Sequence, residues 1–197
     1  MSLTKPSKPS DRLAELLSAI PSGEAQVETG SGVLSVNGRP PPPLHLWHPE
    51  YCGNIDMRIG PDGTWYHEGR SIRRKELWQL FASILRREED GEYYLVTPVE
   101  KCRVDVALHP LMITDINQHA YNDQPLLVAT LNSGGEVPIS DRYPLRLEPR
   151  AAGAAYIELD HGLSALCSRA AWYRLADVMD ETCTLVSAGC RFTLFSD

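Results

Sequence analysis

Apolar residues recur at spacings of three and four over residues 72–87, where Leu77, Leu80, Phe81, Ile84 and Leu85 share one face. That period predicts an amphipathic helix, and Asp90-Gly91 supplies its stop. Before it, residues 55–59 and 64–67 are β-branched and aromatic around Pro61-Asp62-Gly63, which predicts a hairpin. After it, residues 93–97 and 99–106 read as strands, and Pro110 precedes another apolar run at 111–116. The middle, 119–150, reads as all-β, with short strands at 126–131 and 143–147 separated by the turn Asn132-Ser133-Gly134-Gly135. Residues 155–159 then lead into a second amphipathic helix, on which Trp172, Leu175, Ala176 and Met179 share a face. Strands at 184–187 and 191–195 close the pattern.

The N-terminal segment has a different texture. Residues 1–10 are Pro, Ser and Lys with little to bury, which predicts a disordered tail. Ser10 or Asp11 then caps a helix carrying Leu13, Leu16, Leu17 and Ile20 on one side. Residues 22–38 turn to Gly, Ser and Glu, with a short hairpin at Asn37-Gly38, and the prolines at 40–43 form a stiff spacer delivering His45-Leu46-Trp47. The expected organisation is a tail at 1–10, a helix and loose insertion at 11–43, a first unit at 44–117 and a second at 118–197.

The two units read as copies. Sliding the second helix onto the first by 94 positions (172 − 78) pairs Trp172 with Trp78, Leu175 with Phe81, Ala176 with Ala82 and Met179 with Leu85. With six residues dropped from the second connection, Lys101-Cys102-Arg103-Val104 faces Gly189-Cys190-Arg191-Phe192. The expected fold is therefore α+β, a duplicated unit of β-hairpin, amphipathic helix and antiparallel strands.

Charge and cysteine content narrow the function classes. With 19 Lys plus Arg against 26 Asp plus Glu, the net charge of −7 repels a phosphate backbone, so bulk nucleic acid is not an expected partner. The five cysteines, Cys52, Cys102, Cys167, Cys183 and Cys190, contain no C-x-x-C pair and follow no apolar leader, which predicts reduced thiols in a cytoplasmic protein. No stretch reaches the roughly 20 apolar residues of a spanning helix, so no membrane insertion is expected.

The copies differ at Arg73, Arg74 and Lys75, where the aligned stretch Cys167-Ser168-Arg169 has one cation. Positive charge in a first helical turn opposes the macrodipole by roughly a few tenths of a kcal/mol per residue, unless an anion sits there. Paired with Glu68, Glu76 or Asp62, the same cations form an ordinary solvated turn. His45, His48 and Cys52 lack a fourth ligand, so no metal is expected. No G-x-S-x-G elbow, phosphate loop or dinucleotide fingerprint occurs, so enzymatic chemistry and a cofactor have no specific support.

The densest stretch reads IDMRIGPDGTWYHEGRSIRRKELWQLFASILRREEDGEYYLVTPVEKCRVDV. It resembles the bacterial family known as domain of unknown function 1285 in its I-D-x-R-I, D-G-T-W, L-F-x-x-x-L-R-R and Y-x-L-V-T-P-V-E-K segments. The chain departs from the family pattern in the insertion at 22–43 and at Ser71, where proline is more usual. The resemblance implies a duplicated core, a C-terminal half distantly similar to pleckstrin-homology folds, a nucleotide-like ligand between the halves, and a signalling role. The polar set it implies falls on Asp56, Arg58, Trp65, Arg73, Arg74, Tyr94, Thr97, Glu100 and Lys101. An aromatic, two arginines and a lysine suit a planar anionic ligand by stacking and charge.

Three readings follow. The first is a ligand-sensing module that binds a small anion near Arg73 and Arg74, at the junction of the copies. The second is an enzyme acting on a phosphorylated substrate, with Glu100 or His67 as general base. The third is a scaffold for a protein partner, marked by an exposed apolar patch and no formed pocket.

Overall fold

The structure, a computed structural model, describes residues 41–195. The expected tail, the helix carrying Leu13 to Ile20 and the hairpin at Asn37-Gly38 lie outside the described residues. Among the described residues the fold is α+β, with two similar six-stranded sheets, a two-stranded hairpin and two α-helices.

The first sheet begins with β1 (Tyr51–Ile59), whose alternation buries Ile55, Met57 and Ile59 and exposes Asp56 and Arg58. The chain turns over Gly60 to Thr64, where the Asp62 carboxylate accepts from the Thr64 amide at 3.0 Å and from its hydroxyl at 2.8 Å. Gly63 is required at this turn. Its φ is +75°, and a Cβ there would stand 2.7 Å from Met112 Cγ of the other sheet. The strands β2 (Trp65–His67) and β3 (Arg70–Ser71) complete one antiparallel meander.

Helix α1 (Lys75–Ser83) buries Phe81 and Ala82, and Phe81 lies 6.1 Å from Trp65, centroid to centroid, in a stacked pair. It is shorter than the predicted 72–87. Ile84 leaves helical geometry at φ −109°, and Leu85, which the period assigned to the helix face, pairs with Leu95 as the start of a strand. That strand, β4 (Leu85–Arg87), with β5 (Tyr93–Val96) and β6 (Lys101–Val106), makes a second meander.

The second sheet contains β7 (Leu111–Tyr121), β8 (Gln124–Leu131), β9 (Glu136–Pro138), β10 (Leu145–Glu148), β11 (Ala154–Glu158) and β12 (Ser164–Cys167). The apolar run after Pro110 was expected in the first unit; as β7 it belongs to the second sheet, where Leu111 pairs with Ala165. The sheets run β3-β2-β1-β6-β5-β4 and β10-β11-β12-β7-β8-β9, which is the same order read in opposite senses. In each, the first and last strands lie side by side and parallel at the centre.

Helix α2 (Arg169–Asp177) begins and ends 94 positions after α1 (169 − 75 and 177 − 83), the expected register. Its place in the topology is different. The first helix joins two meanders, whereas α2 follows the completed second sheet, packs on β7 and β12, and leads to the hairpin β13 (Thr184–Ser187) and β14 (Cys190–Thr193). Buried Cys102 in β6 is therefore not the counterpart of the partly exposed Cys190 in β14. The repeated element is the sheet. Apolar side chains of both sheets join one buried cluster, and Gln79 Nε2 donates to the Ser133 carbonyl across them at 2.6 Å.

Candidate functional site

The nine residues singled out from the sequence fall in four places. Trp65 is a core residue, 1% exposed against Phe81. Asp56 and Arg58 share the exposed face of β1, with the Arg58 guanidinium 4.7 Å above the Tyr66 ring. Arg73 and Arg74 are exposed at the start of α1, where Arg74 stands 3.9 Å from Glu76.

Tyr94, Thr97, Glu100 and Lys101 do come together. Thr97 Oγ1 accepts from the Glu100 amide at 3.1 Å and fixes the β5–β6 turn. Lys101 Nζ donates to Glu88 at 2.6 Å and lies 4.8 Å above the Tyr94 ring. The Tyr94 hydroxyl donates to Asp90 at 2.6 Å, and that carboxylate pushes the phenol up to about 12. Partial burial would raise Glu88, but hydrogen bonds from Lys101 and Arg86 outweigh it and hold the carboxyl below its ordinary value. Arg86 also donates to the carbonyls of Leu44 and Trp47, tying the entering chain to β4. This network locks one end of the first sheet.

A cleft of about 640 Å³ lies elsewhere, between the β4–β6 side of the first sheet and the β10–β12 side of the second. Arg87, Tyr93 and Arg103 form one wall; Arg150, Tyr156 and Ser164 form the other. None of the nine residues lines it. The carboxylates around the cleft are largely compensated: Glu92 pairs with Arg103 at 2.8 Å, Glu148 with Arg150 at 3.2 Å and Glu158 with Arg146 at 2.6 Å. Arg87 differs. Its Nε donates to the Gly91 carbonyl at 3.0 Å, its guanidinium lies 5.5 Å over the Tyr93 ring, and it has no carboxylate partner among the described residues. The buried Nε of Arg103 likewise has no hydrogen-bond partner among them. The cleft thus offers guanidinium donors beside aromatic faces, in surroundings close to neutral overall.

His109, 4% exposed in the connection between the sheets, also lines the cleft, as does Glu148. Its Nδ1 is 2.7 Å from Ser164 Oγ, its Nε2 is 3.1 Å from Glu148 Oε2, and its ring is tilted against Tyr156 at 4.6 Å. Burial lowers the imidazole below its ordinary value, with Glu148 pulling the other way. The Arg150 backbone amide, donating at 2.9 Å, holds the Glu148 carboxyl below the usual range. A neutral imidazole donating from Nε2 to Glu148 leaves its Nδ1 lone pair to accept the Ser164 hydroxyl.

Sequence reasoning missed this set. His109 stands alone between Leu108 and Pro110, Glu148 lies just past the strand predicted at 143–147, and Ser164 begins a strand the pattern did not show. Only the sheet topology brings the three together. Among the described residues no group of three His, Cys, Asp or Glu is arranged to hold a metal ion, and no helix is long and apolar enough to cross a membrane.

Residues 42–107 match the N-terminal domain, and residues 110–194 the C-terminal domain, of the family described as domain of unknown function DUF1285. The break between the matches falls on the connection between the sheets. The crystal structure of a DUF1285 family protein from Silicibacter pomeroyi DSS-3 is similar at 35% identity and TM-score 0.74, over 85% of this chain and 97% of that one. Another, from Shewanella baltica OS155, is similar at 30% identity and TM-score 0.51, over 62% of this chain and 91% of that one. No curated protein gives a significant match.

Proposed function

The chain belongs to the DUF1285 family, and from that premise we propose a ligand-sensing module that takes a small anionic, nucleotide-like ligand in the cleft between its two sheets. The observation that carries the reading is Arg87, a guanidinium in the cleft wall with no carboxylate partner among the described residues. A phosphate or carboxylate on the ligand completes Arg87 with charge-assisted hydrogen bonds beside the Arg103 guanidinium, while Tyr93 and Tyr156 offer faces to a planar base. The cleft volume of about 640 Å³ lies within the range usual for small-molecule sites.

This reading keeps the junction expected from the sequence and moves the anion contact from Arg73 and Arg74 to Arg87 and Arg103. A formed cleft favours it over a scaffold for a protein partner. Glu100 and His67, the bases of the enzyme reading, do not line the cleft. The five free cysteines suit a reducing, cytoplasmic setting, and the signalling role remains part of the proposal. A helix following the strands of the C-terminal half supports a pleckstrin-homology-like reading, while the parallel β7–β12 pairing argues against an all-antiparallel barrel.

A thermal-shift screen with nucleoside mono-, di- and triphosphates and cyclic nucleotides tests the proposal. The native chain and an Arg73→Ala, Arg74→Ala variant are expected to shift alike, and Arg87→Ala with Arg103→Ala to lose the shift. No shift with any anion overturns the reading. Loss in the Arg73, Arg74 variant alone moves the site to the start of α1.

A further inference from the structure

Ser164, His109 and Glu148 reach one another from three separate parts of the chain, at the head of β12, in the connection between the sheets and at the end of β10. Their exposure is informative. All three line the cleft, with Ser164 partly exposed, His109 buried, and Glu148 buried and held by the Arg150 amide. An accessible hydroxyl, a neutral base and a carboxylate that orients the base form the arrangement that activates a serine.

We propose that Ser164 is a nucleophile activated by His109, and that the cleft catalyses acyl transfer from a small ester. The ring nitrogens are used in the sense opposite to the familiar serine-hydrolase arrangement: Nδ1 meets the serine and Nε2 the carboxylate. Either imidazole nitrogen is a competent base once the other is fixed as the donor, so the relay runs in this sense too.

In the first half-reaction Ser164 Oγ bonds to the acyl carbon, its proton passes to His109 Nδ1, and the carbonyl electron pair moves onto oxygen. Collapse of the tetrahedral species breaks the bond to the leaving alcohol, which takes the proton from His109. Water then adds to the acyl-serine by the same route, releasing the carboxylic acid and restoring Ser164. Tyr93, which also lines the cleft, carries a hydroxyl able to donate to the developing oxyanion. The substrate class, an ester bearing a carboxylate or phosphate, rests on the anion reading at Arg87; the nucleophile does not.

Two neutral probes, an alkyl fluorophosphonate and p-nitrophenyl acetate, test the chemistry without calling on the arginines. The native chain is expected to take one fluorophosphonate, mapped by mass spectrometry to the Ser164 peptide, and to hydrolyse the acetate. Ser164→Ala should abolish both, and His109→Gln should lower the hydrolysis roughly a hundredfold or more. If Ser164→Ala fails to fold by circular dichroism, Ser164→Cys keeps the size and is expected to be alkylated by iodoacetamide faster than Cys52. Absence of labelling on the native chain, labelling at another residue, or hydrolysis no faster than in buffer overturns the proposal. A native chain that is labelled but shifted by no anion keeps the nucleophile and removes the arginine site; the reverse result keeps the arginine site and removes the nucleophile.

Discussion

Gly162 packs directly on Arg87: a Cβ at Gly162 would stand 3.1 Å from Arg87 Cβ and 3.2 Å from its carbonyl oxygen. The contact joins the turn before β12 to β4 and sets one rim of the cleft. Gly162 also has φ +68°, so Gly162→Ala meets both backbone strain and a collision, whereas Gly69, at φ +73° with nothing within 4 Å, meets the strain alone. Gly162→Ala should therefore destabilise the chain by about 1–3 kcal/mol more than Gly69→Ala in urea unfolding. Equal losses would show that the rim yields freely.

The Glu88 side chain is 22% exposed, between Arg86 at 15% and Lys101 at 19%. Replacing it by Gln leaves Arg86 without its paired carboxylate and Lys101 with only the more distant Asp90, which should cost about 1–3 kcal/mol. Glu92→Gln breaks the more exposed pair with Arg103 and should cost under about 1 kcal/mol, a difference that chemical denaturation resolves.

Stability should fall with acid in two stages. His109 has a folded value below its ordinary 6.5, so the unfolded chain gains the proton first and stability declines as pH drops below about 6.5. Glu88 and Glu148 are held below 4.5; their contributions are present above that value and disappear as pH falls through the depressed folded values. Melting curves from pH 8 to 3 should show both stages, and His109→Gln should reduce the first to the share of His161, which burial also holds low, while leaving the second. An unchanged first stage in that variant would assign it to another group.

The helices, matched in register, are capped unequally. Ser168 Oγ accepts from the Ala171 amide at 3.2 Å, while Arg74 in the corresponding place gives α1 no side-chain cap. Ser168→Ala should cost about 1 kcal/mol, and Arg74→Ser should gain up to about 1 kcal/mol, read from melting temperatures. A gain in Arg74→Ser without loss of anion binding would free that position from any ligand role.

The elements legible in the sequence were those with local causes. Asp62 and Gly63 dictate their own turn, and the faces of Phe81 and Trp172 give both helices in their correct mutual register. The end of α1 was not legible, because Leu85 is equally apolar on a helix face or in a strand, and its pairing with Leu95 decides the matter only after β5 returns. The family's shared polar residues read as one pocket, yet Thr97 holds a turn, Lys101 pairs with Glu88 and Trp65 fills the core. The cleft was invisible for a related reason. His109, Glu148 and Ser164 carry no local pattern, Arg87 reads only as the end of the L-F-x-x-x-L-R-R segment, and their meeting depends on which strand edges close on which.

The parallel pairs β1–β6 and β7–β12 also govern how the chain is made and where it tolerates being cut. Each sheet joins its earliest strand to its latest, so neither has a middle until the whole stretch has left the ribosome: the first at Val106, the second at Cys167. Closing such distant ends is slow compared with forming a hairpin, and it makes each sheet an all-or-none unit during synthesis. A truncation inside either stretch removes a central strand rather than trimming an edge. A break at residues 107–110 leaves both centres whole, so the chain divides there into two halves, each with every strand its sheet requires.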